Sequence, residues 1–125
     1  MARVLVVDDN SESARLLARL LTQLGYEASI ANSGEAAIDS LRDAVPHLVI
    51  LDLMMPGIDG TEVLRRMRAR QETRGIPVAM FSAADDPEVR NRLLAAGAHD
   101  FWTKGSFDFQ KLGERVESLL AQDPG

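Results

Sequence analysis

Short runs of apolar residues recur along the chain with almost no alternation between apolar and polar positions. The strongest runs are Arg3–Val7 (RVLVV), Leu48–Leu53 (LVILDL) and Pro77–Ser82 (PVAMFS). A strand that faces water on one side alternates apolar and polar residues, whereas a strand covered on both faces does not. These runs therefore predict buried parallel strands, and the weaker runs Tyr26–Ala31 and Phe101–Thr103 predict two more.

Helical spacing of apolar residues follows each predicted strand. The five apolar stripes are Leu16, Leu17, Leu20, Leu21 and Leu24; Ala37, Ile38 and Leu41; Val63, Leu64 and Met67; Val89, Leu93 and Leu94; and Leu112, Val116, Leu119 and Leu120. The signals for helix starts and ends are Ser33, Asp59 with Glu62 as a capping box, and Asp86-Pro87 as starts, and Gly25 and Gly97 as ends.

Five strands that are each followed by a helix predict an α/β fold. We expect a doubly wound parallel sheet of five strands, flanked by five helices on both faces. The 125 residues of the chain suit a single domain. We expect that domain to span residues 1–121, with 122–125 as a C-terminal tail or the start of a linker.

Composition narrows the range of possible functions. The chain has no cysteine, which excludes disulfides and thiolate metal sites. Its formal net charge of −5 argues against direct contact with nucleic acid. The first apolar run is too short for a signal peptide or a membrane span. We therefore expect a cytoplasmic protein without membrane contact.

Polar side chains stand at the ends of four predicted strands. Asp8 and Asp9 follow the first strand, Asp52 lies near the end of the third, Ser82 ends the fourth and Lys104 follows the fifth. Doubly wound sheets bind ligands outside the carboxyl ends of their strands. Three carboxylates at one edge repel one another unless a cation intervenes, and hard oxygen ligands suit Mg²⁺.

Asp52 carries the strongest single signal because it interrupts the apolar segment LVILDLMMP. A carboxylate in such a segment either caps the loop before Pro56 or acts as a nucleophile that accepts a phosphoryl group. The pair Asp8-Asp9 fits helix capping and metal binding about equally well. The conjunction of these residues at strand ends favours a phosphoryl-transfer site.

The segments VVDDN, LDLMMPGIDG, FSA and AGAHDFWTK resemble, in order and separation, the signature segments of response-regulator receiver domains. The resemblance covers essentially the whole chain. It implies a flavodoxin-like sheet with strand order 2-1-3-4-5 and makes residues 1–121 a receiver domain.

The resemblance also implies an acceptor and a metal site. Asp52 would accept a phosphoryl group from the phosphohistidine of a histidine kinase or from a phosphotransfer protein. Asp8 and Asp9 would hold Mg²⁺ together with Asp52, and the backbone carbonyl of Met54 would add a further ligand.

A switch is implied in the same way. Lys104 would pair with the acceptor carboxylate and then with a phosphoryl oxygen. Ser82 would move toward the phosphoryl group, and the rotamer of Phe101 would follow. Family members usually have a proline after this lysine, joined by a cis peptide bond. Here the residue is Gly105, and because a cis bond before a non-proline residue costs ~3 kcal/mol, we predict a trans bond.

Three functions are compatible with these residues. The first is a phosphorylation-controlled switch that catalyses only its own phosphotransfer and autodephosphorylation. The second is an interaction module with the receiver fold that no longer uses phosphorylation, an alternative supported only by Gly105. The third is a Mg²⁺-dependent phosphohydrolase, a class that typically has a second aspartate where this chain has Met54. The switch accounts for the most residues.

Partner binding is expected on the face formed by the fourth helix, the fifth strand and the fifth helix. An output domain, a downstream protein or a second copy of the chain, linked to phosphorylation, would bind there. The candidate exposed positions are Arg90, Asn91, Phe107, Lys111 and Arg115.

Other conspicuous side chains have simpler explanations. Trp102 is expected to pack in the core, and His47 and His99 to be solvated or to cap backbone groups. The arginines of the third helix are expected to form a solvated basic face: Arg65, Arg66, Arg68 and Arg70.

Overall fold

A computed structural model describes residues 1–121, so the predicted tail 122–125 lies outside the described residues. Five strands alternate with five α-helices in this part of the chain, and a short 3₁₀ helix, Phe109–Lys111, precedes the last. The elements are β1 Arg3–Val7, α1 Ser11–Gln23, β2 Glu27–Ala31, α2 Gly34–Asp43, β3 Leu48–Leu51, α3 Gly60–Ala69, β4 Val78–Ser82, α4 Pro87–Ala95, β5 Asp100–Thr103 and α5 Leu112–Leu120.

All neighbouring strands are parallel, and their order is β2-β1-β3-β4-β5. The last residue of β1, Val7, lies opposite Ala31 of β2 and Leu51 of β3, so these strands end at one edge of the sheet. The predicted fold class and strand order are confirmed.

Two apolar layers cover the sheet, which explains the absence of alternation in the strands. Leu5 and Val7 face one layer, which α2, α3 and α4 complete, whereas Val4 and Val6 face the other, which α1 and α5 complete. Successive residues of a strand point to opposite faces. The side chains on both faces of these strands are therefore buried, and both groups of side chains must be apolar.

Side chains of the preceding loops start four of the helices. Asn10, Ser33, Asp59 and Asp86 each accept a hydrogen bond from a backbone N–H in the first turn. The capping box at α3 is only half formed. Asp59 accepts from the N–H of Glu62 at 3.0 Å, but the Glu62 carboxylate accepts from Arg65 and Arg66 instead of from the backbone.

Three leucines of the predicted stripes are exposed. Leu16 and Leu24 of the first stripe are both 49% exposed, and Leu94 of the fourth is 39% exposed. Adjacent residues point about 100° apart around a helix, so Leu16 and Leu94 turn away from the sheet while their neighbours Leu17 and Leu93 face it. Leu24 is the C-cap of α1 and lies beyond its last turn. In α1 the buried residues are Ala14, Leu17 and Leu21.

The third strand ends two residues earlier than predicted, at Leu51. Asp52 therefore lies just beyond the strand, although its N–H still donates to the carbonyl of Val7 at 2.9 Å. Among residues 1–121, no helix is long and apolar enough to cross a membrane.

Candidate functional site

Three carboxylates meet at the carboxyl edge of the sheet. Asp8 and Asp9 follow β1 directly, and Asp52 follows β3, the neighbouring strand. One carboxylate oxygen from each lies within 4.8 Å of the others. Asp8 and Asp52 are buried, at 3% and 6% exposure, whereas Asp9 is exposed. The predicted cluster is therefore assembled, with two acids inside and one at the rim.

Lys104 reaches into this cluster from the end of β5. Its Nζ lies 2.8 Å from Oδ2 of Asp8 and 3.5 Å from Oδ2 of Asp52. The ammonium also lies 5.7 Å from the centre of the Phe81 ring, within range of a cation–π contact. Lys104 faces the acids as predicted, but it pairs more closely with Asp8 than with Asp52.

The electrostatics of the site favour a proton or a cation on Asp52. Burial raises the pKa of the Asp52 carboxyl to about 7, and the charge of Asp8 adds to the rise, while Lys104 and the N–H of Met54 oppose it. Burial lowers the pKa of Lys104, but its hydrogen bond to Asp8 and the two carboxylate charges more than offset this, so the pKa is raised overall. The single positive charge of Lys104 therefore does not fully compensate the negative charges of the acids.

The donor set fits Mg²⁺. It consists of carboxylate oxygens only, which are hard ligands, and it retains negative charge beside Lys104. Asp9 stands at the open side, where an ion that keeps several waters can remain hydrated. Met54 lies two residues beyond Asp52 in the loop before α3, with its side chain 69% exposed.

The two predicted switch residues lie on neighbouring strands. Ser82 ends β4 and is fully buried, and its Oγ accepts a hydrogen bond from the N–H of Ala84 at 3.1 Å. Phe101 of β5 is half-buried and packs against the layer formed by α2, α3 and α4. The guanidinium of Arg90 lies 5.9 Å from the centre of its ring.

Gly105 leaves the main chain unhindered after Lys104. No peptide bond within residues 1–121 is cis, so the Lys104–Gly105 bond is trans, as predicted. A Cβ added to Gly105 would meet nothing within 4 Å. The Lys104 ammonium reaches the acids without a cis bond.

An aromatic cluster that the sequence did not reveal lies beneath Lys104. The Trp102 and Phe107 rings stack with centres 4.6 Å apart, and Phe81 meets both rings edge-on. Trp102 is buried, as predicted, and its indole N–H donates to Asp100 at 2.8 Å. Phe107 follows a glycine and a serine, and such a loop position gives no sign of burial.

The predicted partner face is less exposed than expected. Asn91 and Lys111 are exposed, whereas Arg90, Phe107 and Arg115 are half-buried. Phe107 is held by its stack on Trp102, and Arg115 donates to the Asp100 carboxylate at 2.7 Å. Phe107 and Arg115 therefore make contacts within the chain, although the sequence predicted that both would be exposed.

Arg68 does not belong to a solvated basic face. It donates to the carbonyls of Gly97 at 2.8 Å and Arg74 at 3.0 Å, and it is half-buried between two loops. Burial lowers the pKa of its guanidinium. The histidines are exposed and cap backbone groups as expected, since Nδ1 of His47 accepts from Arg3 and Nδ1 of His99 from Val78.

Sequence reasoning missed Asn32 and Glu35, which reach the loops of the site from the second strand–helix unit. Nδ2 of Asn32 donates to the carbonyl of Asp8 at 3.0 Å, and Glu35 accepts from the N–H of Ile58 at 2.8 Å. The only signal in the sequence is a polar cluster, ANSGE, at the end of β2. Such a polar cluster is also typical of an ordinary helix start.

Comparison with known proteins gives a consistent result. The family model "Response regulator receiver domain" matches residues 4–117. The response regulator PleD of Caulobacter vibrioides is 42% identical over 118 residues, which are 94% of this chain and 26% of that protein. The phosphate regulon transcriptional regulatory protein PhoB of Rhizobium meliloti is 36% identical over 120 residues, which are 96% of this chain and 52% of that protein. The chain thus spans a quarter to a half of the length of these relatives.

Solved structures with a similar fold also include response regulators. The chemotaxis protein CheY4 of Vibrio cholerae has a TM-score of 0.88 and 27% identity, with 95% of this chain and 98% of that chain covered. The response regulator TrrA of Thermotoga maritima, solved in complex with Mg²⁺ and beryllium fluoride, has a TM-score of 0.83 and 35% identity, with 95% and 99% covered. With its five parallel strands, its cluster of acids and these matches, the chain belongs to the family of response-regulator receiver domains.

Proposed function

We propose that this chain is a phosphorylation-controlled signalling switch that accepts a phosphoryl group on Asp52. The observation that carries the proposal is the convergence of three carboxylates within 4.8 Å with Lys104 at 2.8 Å from Asp8 and 3.5 Å from Asp52. A buried carboxylate beside an ammonium and a potential cation site is suited to nucleophilic attack on phosphorus.

The transfer itself requires few protein groups. An oxygen of the Asp52 carboxylate forms a bond to phosphorus, the phosphorus–nitrogen bond of the kinase phosphohistidine breaks, and the leaving imidazole takes up a proton. Lys104 stabilises negative charge on the phosphoryl oxygens. Asp8, Asp9, Asp52 and the backbone carbonyl of Met54 would hold Mg²⁺, which would supply further neutralisation of negative charge during the transfer.

The phosphorylated state differs from the resting state by new charge next to buried polar groups. The Ser82 hydroxyl exchanges its contact with the Ala84 N–H for a phosphoryl oxygen, and the loop after β4 follows. Phe101 on the adjacent strand changes its rotamer. The outcome is an altered face of α4, β5 and α5.

The proposed partners follow from this switch. A histidine kinase or phosphotransfer protein supplies the phosphoryl group, and an output domain, a downstream protein or a second copy of the chain binds the altered face. The relatives PleD and PhoB are longer than this chain, which supports an output domain as the partner. Residues 1–121 form the receiver unit. Its only catalysis is its own phosphotransfer and autodephosphorylation.

Intact mass spectrometry after incubation with Mg²⁺ and acetyl phosphate tests the proposal. We expect one added phosphoryl group, which is absent from the Asp52→Asn variant and from a sample kept in EDTA. An adduct that persists in Asp52→Asn would place the acceptor elsewhere. A sample without adduct would be titrated with beryllofluoride and followed by NMR. Unchanged spectra there would contradict the switch and favour the phosphorylation-independent module.

A further inference from the structure

The segment that leads from β2 into the first turn of α2, residues 32–35, holds none of the predicted acceptor, metal or switch residues, yet it contacts both loops that carry the three carboxylates. We propose that Asn32 and Glu35 are positioning residues that fix the separation of these loops and thereby the affinity of the site for Mg²⁺. The inference rests on the proposed function because it assumes that the carboxylates hold the metal.

Asn32 holds the first loop. Its Nδ2 donates to the backbone carbonyl of Asp8 at 3.0 Å, while the N–H of Asp8 donates to the carbonyl of Ala31 at 3.0 Å. The backbone of Asp8 is thus fixed from both sides by consecutive residues, and the carbonyl that Asn32 binds belongs to the peptide leading into Asp9. The exposed carboxylate of Asp9 depends on this peptide for its direction.

Glu35 holds the second loop. Its Oε1 accepts from the N–H of Ile58 at 2.8 Å, four residues beyond Met54. The packing around this bond is close: a Cβ on Gly34 would lie 2.8 Å from Cβ of Ile58, and a Cβ on Gly57 would lie 2.9 Å from Oε1 of Glu35. The loop from Asp52 to α3 therefore rests directly on the first turn of α2.

The residues that make both contacts lie on either side of the N-cap of α2. Ser33 caps α2, and Ala37, Ile38 and Leu41 anchor the helix in the core. The two loops are therefore held in register by a third strand–helix unit, through hydrogen bonds to backbone groups. A metal with strict coordination geometry such as Mg²⁺ responds to displacements of its ligands, and partners behind the ligands commonly control affinity.

Titration calorimetry with magnesium chloride on the full chain tests this role with three variants. Glu35→Ala removes the acceptor of the Ile58 N–H, and we expect the dissociation constant of Mg²⁺ to rise about fivefold. Glu35→Gln keeps an acceptor oxygen but loses the charge, and we expect a change of less than about twofold. Asp39→Asn, at an exposed carboxylate of the same helix paired at 3.8 Å with Arg42, is the matched charge control and should behave like Glu35→Gln.

Two further readouts separate positioning from general loss of structure. Glu35→Ala should speed hydrogen exchange at the Ile58 amide while the urea midpoint stays near that of the parent chain. At saturating Mg²⁺, phosphorylation by acetyl phosphate should return to the parent rate, because only the metal affinity is impaired. Asn32→Ala, which frees the Asp8 carbonyl, should weaken Mg²⁺ binding by a similar factor.

The possible outcomes are distinct. Equal Mg²⁺ affinity in Glu35→Ala and the parent chain would overturn the role of Glu35, and an unchanged Asn32→Ala would overturn that of Asn32. Equal losses in Glu35→Ala, Glu35→Gln and Asp39→Asn would mean that long-range charge is responsible, which also contradicts positioning. A parent chain that binds no Mg²⁺ would instead refute the metal site of the proposed function.

Discussion

Asp52 is the residue at which burial and charge conflict most strongly. It is 6% exposed, it lies beside Asp8, and the single ammonium of Lys104 stands closer to Asp8 than to Asp52. In the unfolded chain the same carboxyl is hydrated and ionises near its usual pKa. Because folding raises the pKa to about 7, the fold is favoured where Asp52 is protonated and loses this contribution as pH rises through that value.

Replacing Asp52 by asparagine should therefore stabilise the metal-free protein at alkaline pH. In EDTA, we expect the free energy of unfolding of Asp52→Asn relative to the parent chain to increase by on the order of 2 kcal/mol between about pH 5 and about pH 8. Urea denaturation at the two pH values measures this. The exposed Asp43→Asn is the control and should track the parent chain. Parallel pH profiles for Asp52→Asn and the parent would show that the carboxylate is not destabilising.

The sequence was informative about which residues form the site and less so about how they pair. An acid in an apolar run and a lysine after a strand could each be identified from local pattern alone. The closer pairing of Lys104 with Asp8 depends on distances between three strands that are far apart in the chain. No local pattern carries that information, and the same holds for Asn32 and Glu35.

Among the elements, the start of α3 is packed tightly against the backbone of the site. Gly60 is the first residue of this helix, and a Cβ there would collide with the carbonyl oxygen of Asp52 and lie 2.9 Å from Cα of Leu53. The contacts are with backbone, which cannot rotate away. Gly105, by contrast, has a negative or extended φ and open space around it.

Alanine substitutions at these two glycines should thus have opposite consequences. Gly60→Ala should cost about 2–4 kcal/mol of unfolding free energy and displace Asp52. Gly105→Ala should be neutral or stabilise by up to about 1 kcal/mol, because alanine reduces the entropy of the unfolded chain. Chemical denaturation checks both. A destabilising Gly105→Ala would mean that the loop after Lys104 needs a conformation that only glycine adopts readily.

The helices were predictable where a strong periodic pattern followed a clear capping residue. The contacts of single side chains were less predictable, because tertiary contacts redirect them. Ser33 and Asp86 cap their helices as expected. Glu62 departs from the capping box because two arginines compete for its carboxylate. Arg68 leaves the polar face of α3 because carbonyls of two loops lie within its reach.

On the scale of the molecule, the two apolar layers hold the sheet, while the buried carboxylates of Asp8 and Asp52 lie at one edge of it. Burial of the apolar layers stabilises the fold, whereas the buried acids at the edge of the sheet destabilise it when they ionise without a bound cation. Binding of a cation to the native state alone shifts the unfolding equilibrium by mass action.

Mg²⁺ should accordingly stabilise the protein in a pH-dependent way. Near pH 8, where Asp52 is ionised, saturating Mg²⁺ should raise Tm by about 5 °C or more. Near pH 5, where the raised pKa keeps a proton on Asp52, the increase should be below about 2 °C. Calorimetric scans with Mg²⁺ or EDTA measure both values. An equal increase in Tm at the two pH values, or an increase in Tm that persists in Asp52→Asn, would mean that metal binding does not depend on the Asp52 carboxylate.

The ion pair of Lys104 also has a practical consequence for labelling chemistry. The sequence contains only two lysines, Lys104 and Lys111. Lys111 is exposed, whereas Lys104 is held by Asp8 with a raised pKa, so it is both shielded and poorly nucleophilic. An amine-selective reagent should modify the N-terminus and Lys111 first. Reductive methylation with an isotope-labelled reagent would thus place separate probes on the proposed partner face and, at longer exposure, inside the acid cluster.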